Sequence, residues 1–331
     1  MWRRRQSGDS PWTTDALLAY YKFCNIYREL DRGTVYFRGS VERRKRVLPA
    51  AGAHLLRDVL WGSLVYRLLN RMESFQSWKE GGGLPNEHEW PCFLEYLAAQ
   101  RAEGRVIFSN AHQTMGFDRY ASTMAKVRKT LQKLTDAVWA ARSSAERVFK
   151  ILLRYENVGP FFAWQVTCDL LETAGVLDCD EDDWCQIGPG ALRGLKRVFA
   201  HAPPATCAVN LDRARLLTSL HSAAFIALDC SFSYVGDRRL TLKNIEHALC
   251  EFEKYRNNMI GGRRFVSREA CDGGAVCTKC RDETVEHDDV LLLCDLCGTA
   301  QHTFCLRPKL EALPEAEWFC APCRAQWDAR P

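Results

Sequence analysis

Sixteen cysteines are spread through the 331-residue chain, and the densest group lies near its C-terminal end. There Cys277 and Cys280, Cys294 and Cys297, His302 and Cys305, and Cys320 and Cys323 form four pairs, each with two residues between its members. That spacing lets both members of a pair reach one tetrahedral metal ion, and thiolates and imidazole are ligands that zinc prefers. Eight such ligands fill two closed sites and leave no position for water. The expected cofactors are therefore two structural Zn2+ ions, not a catalytic centre.

A segment this small cannot bury enough apolar surface to fold alone, so metal binding must supply its folding free energy. Its ligand order, four cysteines, one histidine and three cysteines, resembles the plant homeodomain (PHD) finger over about residues 271–327. The likeness extends to "LLLCD", "HTFCL" and "WFCAPC", with Trp318 two residues before Cys320. A RING-like module shares the interleaving but places its histidine differently, and the Trp318 position favours the PHD reading. The resemblance implies a cross-brace, with Cys277, Cys280, His302 and Cys305 on one ion and Cys294, Cys297, Cys320 and Cys323 on the other. It also implies that a strand containing Leu291, Leu292 and Leu293 pairs with a histone N-terminal tail, whose basic side chains meet Glu286, Asp288 and Asp289. Gly298, Thr299, Ala300 and Gln301 supply no aromatic wall for a trimethyl-lysine cage, so an unmodified lysine is expected. The other reading is a finger that only packs against the rest of the chain.

Upstream, chemistry-bearing residues concentrate in "NIYRELDR". Arg28 and Arg32 are four apart, with Asp31 between them, and on a helix the two arginines would share a face. Paired guanidinium groups match phosphate geometry; an ordinary surface ion pair is the alternative. Two Gly-Pro turns open helical patterns, at Gly159-Pro160 and at Gly188-Pro189-Gly190, the second followed by Arg193. A helix beginning with Pro at its first position presents backbone N–H groups that can hold a phosphate. Simple punctuation of a helical bundle accounts for either turn equally well.

These residues must be carried by helices. "DVLWGSLVYRLLNRMESFQSW" and "TMAKVRKTLQKLTDAVWAAR" repeat apolar residues at helical spacing, and Ser143 with Glu146 predicts a capped start before "RVFKILLRY". Few stretches alternate with a strand period. The fold class read from this pattern is mainly α: a helical body over residues 10–258, a linker over 259–270 and the zinc finger over 271–327.

The quoted stretch "PWTTDALLAYYKFCNIYRELDRGT", then "YRLLNRMESF", "NVGPFFAWQVTCDL", "IGPGALRGL" and "HALCEFEKY", resembles in order the α-glutamyl/putrescinyl thymine pyrophosphorylase family, or the helical domain of 5-hydroxymethyldeoxyuridine DNA kinase. That resemblance implies a body related to helical DNA glycosylases with a helix-hairpin-helix, and a DNA partner carrying 5-hydroxymethyluracil or a derivative. On the same basis Asn25, Arg28, Asp31, Arg32, Asn70, Arg71, Gln165 and Asp169 form the expected site. The arginines would hold phosphate, Asn25 and Gln165 would read a base edge, and Asp31 or Asp169 would position or deprotonate an amine.

Charge divides along the same boundary. Residues 1–265 carry 38 Lys+Arg against 29 Asp+Glu, and residues 266–331 carry 7 against 12. A basic body suits a polyanion and an acidic tail domain suits a basic peptide. The first residues lack the apolar run of a secretory leader, so reduced thiols and a nuclear location are expected, with "ERRKR" at 42–46 as a candidate import signal. No G-x-x-x-x-G-K-[ST] occurs, so a P-loop kinase is not indicated. The acidic run from Asp178 to Asp183 reads as a solvated loop or a divalent-metal site, and His112, His221 and His247 as ordinary packed or surface histidines.

Overall fold

The computed structural model describes residues 23–46, 52–79, 82–109, 116–203, 205–229 and 239–260, isolated positions between 13 and 18, and, beyond 260, residues 279, 291–293, 300–302, 305–307 and 320–328. After a short 3-10 turn at Arg28–Leu30, the body consists of α1 (Arg32–Lys45), α2 (Ala53–Leu69), α3 (Met72–Gln76), α4 (Trp90–Ala102), α5 (Phe117–Ala141), α6 (Ala145–Leu152), α7 (Pro160–Glu172), α8 (Pro189–Val198), α9 (Cys207–Ala227) and α10 (Leu242–Ile260). The predicted helical class is observed, and α10 runs two residues past the expected boundary at 258. No described helix is long and apolar enough to cross a membrane.

Helix α2 is the hub: from Val59 to Leu69 every residue is buried, while Ala53 and His54 face solvent and Arg57 and Asp58 are half-buried. It packs on α5 and α7. Trp61, Tyr66, Phe75, Phe93 and Tyr120 are fully or almost fully buried around it, each fully buried large apolar side chain worth about 1.5–3 kcal/mol. Their polar tips are satisfied: Trp61 Nε1 donates to the Pro85 carbonyl at 3.0 Å and Tyr120 Oη to that of Val65 at 3.0 Å. Asn70 ends α2 in the left-handed region, φ 51°, with its N–H on the Tyr66 carbonyl, so the single helix expected from the apolar period is two.

Helix α8 lies against α10 at unusually close range. A Cβ on Gly190 would sit 2.6 Å from Cys250 Sγ, and one on Gly194 would collide with the Leu249 carbonyl. The cap of α6 falls one residue later than expected: Ser144, not Ser143, accepts from the Arg147 N–H at 3.4 Å, while Glu146 pairs with Lys150. The acidic run joins the helical frame and holds no metal cluster among the described residues. Asp182 accepts from the Leu242 N–H at the start of α10, Asp178 pairs with Arg142, and Glu181 lies 3.3 Å from Lys243. "ERRKR" forms the last turn of α1, where Arg44 pairs with Asp58 and Lys45 with Glu42, placing basic charge at the helix C-terminus.

Beyond the body, β1 (Leu291–Leu293) and β2 (Ala300–His302) form an antiparallel pair, Leu291 opposite His302 and Leu293 opposite Ala300. Helix α11 (Ala321–Asp328) follows Cys320, which is buried.

Candidate functional site

The segment entering α1 does not make the shared arginine face that its spacing predicted. Asp31 is extended, φ −63° and ψ 134°, so the 3-10 turn at Arg28 and the helix beginning at Arg32 are separate elements. Arg28 consequently points inward and Arg32 outward, with the Arg32 side chain 74% exposed and its Nη2 3.3 Å from Glu73 Oε1. Arg71 joins the same surface group, Nε 3.9 Å from Glu73 Oε2.

Arg28 is the centre of a buried ion network. Its Nη1 donates to Glu172 Oε1 at 2.6 Å, and its Nη2 reaches Asp169 Oδ1 at 3.2 Å, Gln165 Oε1 at 3.0 Å and the Gln165 carbonyl at 3.3 Å. Its backbone N–H donates to Asn244 Oδ1 on α10 at 3.1 Å. Asp169 in turn accepts both arms of Arg67 from α2, at 2.8 and 2.5 Å, and the Ser63 hydroxyl at 2.6 Å. Lys243, fully buried, completes the group against Glu29 and Glu172, each at 2.9 Å.

Such charges survive burial only because they neutralise one another. Desolvation alone would raise the Glu172 carboxyl, yet Arg28 and Lys243 hold it at about 2. Burial works against the Lys243 ammonium, and Glu172, Glu181 and Glu29 outweigh it and push its pKa up. Arg28 and Asp169 are thus paired with each other away from solvent, not exposed on the surface. What Arg28 positions is Gln165, half-buried on the α7 face that also carries Asp169 and Glu172, with its carboxamide oxygen fixed toward the guanidinium.

Asn25 and Asp31 form a neighbouring surface turn. Asp31 Oδ1 accepts from the Asn25 N–H at 2.9 Å, and Asn25 Nδ2 donates to the Leu30 carbonyl at 3.1 Å. Asp31 Oδ2 faces His247 of α10, not either arginine.

The two Gly-Pro helix starts differ. The Gly188 N–H donates to Glu246 Oε1 at 3.2 Å, and Trp164 Nε1 lies 3.4 Å from the other oxygen, so a carboxyl of the protein already occupies that helix start. Burial pushes the Glu246 carboxyl up to about 7. Gly190 serves close packing, and Arg193 lies 3.8 Å from Glu253, so this cluster is not the open phosphate cradle its residues predicted. Gly159, by contrast, begins α7 with no side-chain cap, and a Cβ there would meet nothing within 4 Å. Asn70 is accounted for by its left-handed cap.

Sequence reasoning missed Glu29, Ser63, Arg67, Glu172, Lys243, Asn244, Glu246 and His247. One signal was available: Gln165, Asp169 and Glu172 recur at helical spacing in an otherwise apolar α7. Among the described thiols, burial pushes the buried Cys168 up to about 12 and raises the buried Cys185 and the half-buried Cys250, which disfavours the nucleophilic thiolate in each.

Comparison with known proteins bears on both parts of the chain. Residues 1–261 match the family described as 5-hmdU DNA kinase, helical domain. The chain belongs to that family. The chain is 27% identical, over 282 residues, to a 5-hmdU DNA kinase of Bacillus phage SP10, a match covering 78% of this chain and 43% of the phage protein. Residues 277–323 match the PHD finger. Over 63 residues the chain is 43% identical to bromodomain adjacent to zinc finger domain protein 2A of Homo sapiens, covering 19% of this chain and 3% of that protein. Over 53 residues it is 45% identical to remodeling and spacing factor 1 of Homo sapiens, covering 16% of this chain and 4% of that protein. The chain therefore spans less than half of the phage relative and a few per cent of these two human proteins. No solved structure matches.

The PHD match implies zinc, and it runs from the first expected ligand, Cys277, to the last, Cys323. The donor set fits. In the chain, Cys294 directly follows β1 at the Leu293 end of the pair, whereas His302 closes β2 at the other end. Cys277, Cys280, Cys294 and Cys297, and the acidic Glu286, Asp288 and Asp289, lie outside the described residues.

Proposed function

We propose that this is a nuclear, chromatin-associated protein in which a two-zinc PHD finger binds a histone N-terminal tail and the helical body binds or modifies thymine-derived bases in DNA. The observation that carries the reading is the union, on one chain, of a body from the 5-hmdU DNA kinase helical-domain family with a PHD finger. The charge split supports it, a basic body for a polyanion and an acidic finger for a basic tail. Two attachments on one chain raise occupancy through effective concentration.

On the finger, Leu291–Leu293 pairs with β2, and a histone tail would add as a strand along the opposite edge of β1. Glu286, Asp288 and Asp289 would meet the basic side chains of an unmodified tail. On the body, the exposed start of α7 at Gly159 and the surface arginines Arg32 and Arg71 would contact phosphate, while Asn25 and Gln165 would read the base. The alternative is a non-catalytic reader; of the groups expected to do chemistry, Arg28 and Asp169 are buried and mutually neutralised, whereas Asp31 and Arg32 reach the surface.

The test is binding of the full chain to matched duplexes containing thymine or 5-hydroxymethyluracil across a salt series, with and without an unmodified histone-tail peptide. Preference for the modified duplex, with affinity falling steeply with salt, supports the reading. Consumption of the modified base with an added nucleotide or amine donor would identify a transferase. Absence of binding to both duplexes at low salt would sink the DNA half.

A further inference from the structure

Apart from the ion network and the zinc finger, three side chains of different chemistry converge between the segment preceding α1 and the middle of α10. The thiol of Cys24, the carboxylate of Asp31 and the imidazole of His247 have ligand atoms that all lie within 4.8 Å of one another. Asp31 Oδ2 is 3.6 Å from His247 Nε2, too far for a hydrogen bond. Nε2 is nevertheless buried and has no hydrogen-bond partner among the described residues. A buried ring nitrogen held this way normally costs stability, so its persistence calls for an absent partner.

The spacing fits a metal ion. Two N or O ligands, each about 2.0–2.1 Å from a tetrahedral metal, stand roughly 3.3 Å apart, which is close to the Asp31–His247 separation. Both ligands from the N-terminal segment are anchored, Asp31 through its side chain and Cys24 through its backbone N–H. Asp31 Oδ1 takes the Asn25 N–H, which leaves Oδ2 as the ligand atom, and the Cys24 N–H is held by Glu251 Oε2 at 3.1 Å.

We propose that Cys24, Asp31 and His247 bind a divalent cation of the zinc class, with a fourth coordination position open. Thiolate and carboxylate together carry two negative charges, which a divalent ion neutralises. A thiolate with an imidazole selects zinc over magnesium or calcium, which take oxygen ligands. No fourth histidine, cysteine or carboxylate joins the cluster among the described residues, and Cys24 is exposed, so water or a phosphate oxygen can complete the coordination. Three protein ligands and one open position is the arrangement of reactive zinc, unlike the closed sites of the finger. The site does not depend on which base the body meets.

The experiment counts zinc by elemental mass spectrometry in the purified full chain, in Cys24→Ser and His247→Gln, and separately in Cys320→Ser. The expected result is one zinc fewer per chain in Cys24→Ser and in His247→Gln than in the parent, with far-UV circular dichroism unchanged in Cys24→Ser, whose side chain is exposed. Equal zinc content in the parent and Cys24→Ser overturns the proposal. Cys320→Ser reports the finger's own ions, so failure of the finger reading is seen independently.

Discussion

Arg28 and Glu172, 144 residues apart in the chain, meet at 2.6 Å with both side chains almost fully buried. The guanidinium ties the segment before α1 to α7, and through its backbone N–H to α10, so one residue closes three parts of the helical body.

Arg28→Ala leaves Asp169 and Glu172 short of a counter-charge and should cost about 3–5 kcal/mol. Denaturant unfolding followed by far-UV circular dichroism measures this; a loss below about 1 kcal/mol would show the network to be unimportant. Arg28→Lys keeps the charge but not the fork, and should recover only part of the loss.

Arg32→Ala should separate surface function from stability. Its ion pair with Glu73 is exposed and contributes about 0–1 kcal/mol, so the unfolding midpoint should barely move. If Arg32 contacts phosphate, DNA affinity falls and the slope of log affinity against log salt drops by about one. An unchanged slope removes Arg32 from the interface.

Glu246 makes the body pH-sensitive. Its folded carboxyl titrates near 7, above its ordinary value of 4.5, so the folded state holds an extra proton between those limits. Stability contributed by this group is present below pH 4.5 and is lost as pH rises through about 7, a decline on the order of 3 kcal/mol. Glu246→Gln cannot ionise and should flatten that part of the stability profile; an unchanged slope in the variant would refute the assignment. Glu172, held at about 2, acts in the opposite sense, and its contribution disappears only as pH falls from 4.5 toward 2.

The close approach of α8 and α10 predicts an order of damage. Gly194→Ala drives a methyl into the Leu249 carbonyl, which only a helix shift can relieve, and should cost about 3 kcal/mol or more. Gly190→Ala meets the Cys250 side chain and should cost about 1–3 kcal/mol. Gly159→Ala, with open space at the Cβ position, should be nearly neutral for stability. Thermal unfolding of the three variants tests the ranking, and a Gly159→Ala as damaging as Gly194→Ala would contradict it.

Chelation should unfold the finger and spare the body. Hydrogen exchange after zinc removal is expected to show lost protection across 277–323 with protection kept in α2, α5 and α7, because the body's core is apolar and does not rest on the finger's ions. Retained protection in the finger would mean that it folds without metal.

Several elements were legible because their signals are local. The apolar period announced α2 and α5, and Gly-Pro announced the starts of α7 and α8. Local signals failed where two answers differ by one residue or one dihedral. Ser144 displaced Ser143 as a cap, and extended Asp31 turned Arg28 and Arg32 to opposite environments. The role of Gly188 was missed for another reason: the anion at that helix start is Glu246, 58 residues away.

The sequence by itself determined the cysteine and histidine spacing of the finger, the helical class and the division of charge, since each depends on spacing or composition along the chain. Only the tertiary structure decided which charged residues are buried partners and which face solvent. Arg28 and Arg32 have the same side chain, and what separates them is contact with Gln165, Asp169 and Glu172 in one case and with Glu73 at the surface in the other. Charge in a protein acquires its role from desolvation and from partners brought together by distant segments, and neither is written in any short stretch of chain.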